Sequence, residues 1–387
     1  MSIQNKTNDL LDLGKLNNLN FLVSNFPVFS FSPAHVPVAN EKDLAHPRCA
    51  LYLRAVMANK PRIYITDFLT GDLEVEQRIL GDLAELVALG AKREEQLPGH
   101  IEDGVCLMVY HFLGLGANTI DRLKNCKLIV RCGVGIDNVD CAAARKRGIP
   151  VANVPDYGTE DVADTAIGLM LSLARGTHLL NSRLRAGRGP WSYTQAAPLH
   201  RVRGRTFGIV GLGRIGTATA HRAKALGMDV VFYDPYVADG WDRAQGVRRV
   251  ESLNELLSQV QVLSLHCPAT PETTGMVRAE QLGQLPHGCL LINTARGSLV
   301  DTAAIPPAIR SGQLAGAGID VLATEPPLPD DPLILAWRDP ADPCHDRVII
   351  TPHAAFYCEE GLMDIRVKAA QACRKALLGQ TIRNVVN

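Results

Sequence analysis

The sequence has no surplus of charge: forty basic and forty acidic side chains cancel to a formal net charge of zero. Nucleic-acid and membrane-surface binders carry an excess of basic groups, so neither is expected as a direct partner, and a small-molecule ligand suits the balance better. No apolar run approaches the roughly 20 residues that span a bilayer, and no basic segment leads into a continuous apolar one at the start. The ten cysteines form no C-x-x-C pair and no zinc-like cluster. They read as reduced thiols of a cytoplasmic protein, and no metal is expected. A repeat of solenoid type is also missing.

What is present points to two domains, since 387 residues are long for one compact core. Residues 1–60 stand apart, Asn-rich at Asn5, Asn8, Asn17, Asn18 and Asn20 and then Phe/Pro-rich from Phe26 to Pro37. Met57-Ala58-Asn59-Lys60 resembles a natural start, so residues 1–56 are expected to be a flexible extension whose removal leaves folding and turnover intact. Pro61 to Asp67 reads as an edge strand, followed by an apolar-periodic segment from Val75 to Val87. Beyond it a βαβ rhythm implies a parallel sheet: strand Val105–Tyr110, helix Thr119–Asn125, strand Leu128–Arg131, helix Cys141–Arg147, strand Val151–Asn153. From Glu160 to about Arg185 a segment without proline suits one long helix that leaves the first domain and packs on the second.

A dinucleotide fingerprint follows. Thr206 to Val210 is an apolar strand running into Gly211-Leu212-Gly213-Arg214-Ile215-Gly216 and an Ala-rich helix, Thr217 to Leu226; a second strand, Asp229 to Tyr233, ends at Asp234. Alone, G-x-G-x-x-G says little, but strand, turn, helix and a following acid give it its context. Gly211 permits the tight turn, Gly213 lets backbone approach a pyrophosphate, and Gly216 allows helix and strand to pack closely. The helix's unpaired first amides receive the phosphates. Asp234 can accept the adenine ribose hydroxyls and would repel a 2′-phosphate, which favours NAD over NADP.

Three later strands offer chemistry at their carboxyl ends: Cys289 to Asn293 leads to Arg296, Ala317 to Val321 to Glu325, and Val348 to Thr351 to His353. Reduction of a 2-keto acid needs a proton donor for the developing alkoxide, and histidine suits that near neutral pH. A carboxylate beside the ring favours its protonated form, which would carry the reductive limb toward alkaline pH. Arg296 has a planar fork for the substrate carboxylate and a charge to polarise the carbonyl. Each residue singly has a plain structural reading; their joint position after a dinucleotide motif favours catalysis.

From about Pro61 onward the sequence resembles the D-isomer-specific 2-hydroxyacid dehydrogenases, closest to the C-terminal-binding-protein branch. Val109-Tyr110-His111, Phe232 to Tyr236 and Thr351 to Tyr357 carry that likeness. The resemblance implies an α/β fold of two doubly wound parallel-sheet domains. A Rossmann NAD-binding domain (158–353) would be inserted in a smaller flavodoxin-like substrate domain (57–157 and 354–387), to which the C-terminal helix returns. It also implies a homodimer formed through the cofactor domain. Arg296, Glu325 and His353 match the family's catalytic positions. Contacts to NAD carry over to Val134, to Gly211, Gly213, Arg214, Ile215 and Gly216, to Asp234, to His266, Cys267 and Pro268, to Thr294, Ala295 and Arg296, and to Asp320 and His353. Arg131 to Asp137 matches the loop whose amides grip the substrate carboxylate. The substrate would meet His111, Arg131, Gly133, Val134, Gly135, Arg296 and Phe356. Two departures are expected to touch the substrate side: Phe356 stands where the branch commonly has Trp, and Leu328 to Arg347 is an Asp- and Pro-rich lengthening. The expected function is an NAD-dependent reductase of a small 2-keto acid. A binding or corepressor-type protein regulated by NAD(H) is the alternative.

Overall fold

A computed structural model describes residues 60–387; the expected extension, residues 1–56, lies outside the described residues. Two parallel sheets form the fold. The first contains β1 Arg62–Ile65, β2 Glu85–Ala88, β3 Cys106–Val109, β4 Leu128–Arg131 and β5 Val151–Asn153, in the order β2-β1-β3-β4-β5. The second contains β6 Thr206–Val210, β7 Asp229–Tyr233, β8 Arg248–Arg249, β9 Val262–Leu265, β10 Cys289–Asn293, β11 Leu314–Ile319 and β12 Val348–Ile350. Their order is β12-β11-β10-β9-β6-β7-β8. The doubly wound α/β class expected from the sequence is therefore present. Central strands such as β3, β9 and β10 are buried along their whole length, as strands covered on both faces must be.

In each sheet the strand order reverses once, between β1 and β3 and between β6 and β9. Connections on either side of such a point leave in opposite directions and open a crevice at the strands' carboxyl ends. The chain crosses between the sheets twice, through residues 154–158 after β5 and 351–358 after β12. The crossings touch where Gly158 lies against Phe356, and Thr165 Oγ1 in the helix after the first crossing donates to the Ala355 carbonyl at 3.3 Å. After the second crossing the helix Glu359–Leu377 packs Ile365, Ala369, Ala370 and Cys373 onto Cys106, Met108, Leu128 and Val130 of the first sheet. Arg366 of this helix bonds both oxygens of the fully buried Glu76, at 2.8 and 2.6 Å.

Several local expectations are corrected. β1 is internal, flanked by β2 and β3. Pro61 precedes its first ladder position, so the proline costs no sheet hydrogen bond and does not mark an edge. The edges are β5 and β2, the latter arising from the periodic segment Val75 to Val87 after a helix, Glu74–Leu80, ends at Gly81. The expected helix Thr119–Asn125 is a single turn, Ala117–Ile120. The long helix is two, Thr159–Arg175 and Thr177–Arg185, broken at Gly176 with φ +62°. Its first part does pack on the second sheet, burying Ala166, Ile167, Met170 and Leu173 against Phe207, Ile209 and Ile292.

Candidate active site

The glycine turn lies at the reversal of the second sheet. The helix Arg214–Ala225 begins at Gly213 with no side-chain cap, so its first amides are free to meet an anion. The three glycines differ in what surrounds them. Gly211 has φ +91°, and a Cβ there would press on Cys267 backbone; one on Gly216 would overlap the Gly211 carbonyl; one on Gly213 meets nothing within 4 Å. Asp234 Oδ2 accepts from the Leu212 amide at 2.8 Å and Oδ1 from the Tyr236 amide at 2.9 Å. The carboxylate is thus fixed beside the turn, at the end of β7.

Most of the residues singled out in the sequence line one cavity of about 430 Å³ between the two reversals: His111, Arg131, Val134, Gly135, Gly213, Arg214, Ile215, His266, Cys267, Pro268, Thr294, Ala295, Arg296, Asp320, His353 and Phe356. Gly133, Gly211, Gly216, Asp234 and Glu325 are not part of its lining. No residue of the lengthening, Leu328 to Arg347, reaches it either, which corrects the expectation that this segment touches the substrate side. Instead it forms the helices Pro332–Arg338 and Cys344–Arg347 and buries Leu333, Ala336 and Cys344 in the core of the second sheet.

His353 has φ +53°, and its backbone amide is held by the Asp320 carbonyl at 2.8 Å. Its Nδ1 is 2.7 Å from Glu325 Oε2, while Glu325 Oε1 accepts from the Leu322 amide at 2.8 Å. With Nδ1 committed to the carboxylate, Nε2 is left as the nitrogen that can exchange a proton with a ligand. Burial pushes the Glu325 carboxyl up, but the bonds from His353 and Leu322 and the nearby Arg296 charge outweigh it and hold the group below its ordinary range. Asp320 is buried and accepts from Thr351 Oγ1 (2.6 Å), the Ala354 amide (2.9 Å) and the Ala355 amide (3.1 Å). It therefore pins the loop that carries His353.

Across the cavity, Asp67 does the same for the first sheet. This buried carboxylate takes the Tyr110 and Phe112 amides, each at 2.8 Å, and Thr66 Oγ1 at 2.7 Å, which sets His111 between them. The His111 ring lies 6.2 Å from that of His353 and 5.7 Å from that of Phe356. Burial, with Arg131 and His353 beside it, pushes His111 down to about 4. Burial alone drives His266 down to about 3, with Nε2 bonded to Ser264 Oγ at 2.8 Å. Both rings are neutral near pH 7, which leaves His353 as the histidine of the cavity with a carboxylate partner.

Arg131 is only 7% exposed, bonds Asn138 Oδ1 and the Cys132 carbonyl, and pairs with no carboxylate among the described residues. Arg296 reaches Asp137 from Nε and Nη2, and its Nη1 donates to the Ala295 carbonyl. Sequence reasoning missed Asp67, Phe68 and Asp137. Asp137 was in view only as the end of an amide loop, and side-chain direction in a loop has no periodic signal. Phe68, at φ +68°, stacks on Tyr110 at 5.0 Å and extends the aromatic wall. A larger open depression of about 940 Å³ lies over one face of β1 and β2. Its charges largely neutralise one another through Arg62 with Glu85 and Asp103, and Arg122 with Glu102.

Comparison with known proteins agrees with this geometry. The model of the family described as D-isomer specific 2-hydroxyacid dehydrogenase, NAD binding domain, matches residues 167–355. A D-3-phosphoglycerate dehydrogenase of Methanocaldococcus jannaschii is 35% identical over 327 residues, which cover 84% of this chain and 59% of that protein. C-terminal-binding protein 1 of Caenorhabditis elegans is 34% identical over 314 residues, 80% of this chain and 42% of that one. The chain thus spans about three fifths and two fifths of these relatives' lengths. A crystal structure of a Thermus thermophilus protein superposes with a TM-score of 0.73 at 34% identity, covering 84% of this chain and all of that one. The chain belongs to the D-isomer-specific 2-hydroxyacid dehydrogenase family, and its seven-stranded half carries that family's NAD-binding domain.

Proposed function

We propose that the protein is an NAD-dependent 2-keto acid reductase and D-2-hydroxyacid dehydrogenase, a cytoplasmic homodimer with a substrate half (57–157 and 354–387) and a cofactor half (158–353). The observation that carries the reading is the 2.7 Å contact of Glu325 with His353 Nδ1 at the edge of a cavity that also holds Arg296. NAD supplies the hydride acceptor and its reduced form the donor. The residues present fit it: free helix amides and an unobstructed Gly213 for the pyrophosphate, and a fixed Asp234 for the adenine ribose. Val134 and Gly135 amides donate to no acceptor among the described residues and are suited to a carboxylate. Arg296 holds the substrate carboxylate together with these amides and polarises the carbonyl, and His353 Nε2 delivers the proton to the oxygen that becomes the hydroxyl. Glu325 orients the ring through Nδ1. The exposed Trp191 and Tyr193, 89% and 79% accessible after the helix Thr177–Arg185, are the side chains a dimer contact through the cofactor half would cover.

The test is a panel of small 2-keto acids with NADH and, separately, NADPH, followed by loss of nicotinamide absorbance. Turnover with NADH well above NADPH is expected. A protein that binds NADH and oxidises it with no member of the panel would overturn the reading.

A further inference from the structure

Arg296, at the end of β10, reaches across the cavity to Asp137 in the loop after β4. Nε lies 3.1 Å from both Asp137 oxygens and Nη2 lies 3.1 Å from Oδ1. This is the side-on arrangement a guanidinium makes with any carboxylate, including that of a 2-keto acid. The edge that a two-oxygen ligand would use is therefore already filled. Gly135 lies directly against it, and a Cβ there would overlap Nη2. The amides of Val134 and Gly135 remain without an acceptor among the described residues.

Asp137 is nearly half exposed, and Arg296 is the only side chain that bonds it among the described residues. Burial pushes its carboxyl up, but the Arg296 bonds and charge outweigh that and hold it below the ordinary range, so it stays anionic. It can be replaced on Arg296 by another carboxylate at no change in the pair's charge and can turn toward water when released.

We propose that Asp137 is a stand-in for the substrate carboxylate: it occupies the Arg296 fork and must yield it when an acid binds. This rests on the 2-keto acid reading and adds a determinant of specificity to it. An acid can exchange for Asp137, whereas an uncharged ketone or aldehyde cannot, and leaves the pair closed. Asp137 thus lowers affinity for every ligand and lowers it most for those without a carboxylate.

The experiment uses the full chain with NADH bound and titrates oxamate, an unreactive mimic of a 2-keto acid, by quenching of NADH fluorescence. Asp137→Asn keeps the shape and removes the competing charge; Asp137→Ala removes both. Oxamate should bind each variant about three- to tenfold more tightly than wild type, as expected when a partly exposed ion pair stops competing. NADH affinity, measured in the same titration, should not change. Oxamate affinity that is equal or weaker in both variants, or oxamate binding in none of the three proteins, overturns the proposal and makes Asp137 a strut for Arg296. The two readings fail separately. A wild type that binds oxamate yet reduces no 2-keto acid refutes the proposed function and leaves the oxamate comparison intact.

Discussion

His353 and His111 face the same space with opposite surroundings, one against a carboxylate at 2.7 Å and the other buried beside Arg131. Only the first has a carboxylate partner. Glu325→Gln keeps the shape and removes the negative charge beside His353 Nδ1, so the pH profile of keto acid reduction, its alkaline limb included, should change. Superimposable profiles at saturating NADH would withdraw Glu325 from its role. His111 is pushed down to about 4 and is already neutral above that range, so His111→Gln should leave the limb in place and raise the keto acid KM. A limb that moves in this variant would reassign the proton donor. At this scale the sequence made His353, Glu325 and Arg296 legible because each follows an apolar strand that ends at the cleft. It did not reveal Asp67 or Asp137, whose roles depend on which loop their carboxylates meet across the fold.

Among elements, the glycine turn separates binding from packing. Gly213→Ala adds a methyl into open cleft space, so melting temperature should hold while NADH affinity falls roughly tenfold or more, about 1.4 kcal/mol. Gly216→Ala drives the methyl into the Gly211 carbonyl and should cost about 1–3 kcal/mol of stability, because backbone on both sides must shift. Paired melting curves and fluorescence titrations check both; a stability loss in Gly213→Ala alone would reverse the assignment. The parallel strands were readable as apolar runs, and so was the rhythm of strand and helix. The break at Gly176 was signalled by the glycine itself but hidden by the continuous Ala- and Leu-rich composition around it. In the segment 328–347, Asp331-Pro332 is a helix start in plain view: Asp331 caps the Leu333 and Ile334 amides, and Pro332 takes the first turn. The surrounding Asp and Pro content obscured it.

At the scale of the molecule, the contact that ties the chain's return to its outset is Arg366 with Glu76, 290 residues apart. Glu76 is fully buried, so Glu76→Ala leaves a largely buried guanidinium without its partner and should cost about 3–5 kcal/mol in urea unfolding. Replacing both residues by apolar ones of similar size should recover most of that loss. A single replacement that costs nothing would show the pair to be idle. Such a contact is invisible in sequence, where a Glu in one amphipathic helix and an Arg in another carry no mark of each other. The order of strands is invisible for the same reason, which is why β1 passed for an edge. The two crossings of the chain have a mechanical consequence. Bodies joined by one tether can swing in every direction, whereas two tethers that touch leave a single rotation about the line through them. That line runs where Gly158 meets Phe356. The Phe356 ring hangs from the axle itself, so it travels least when the halves swing.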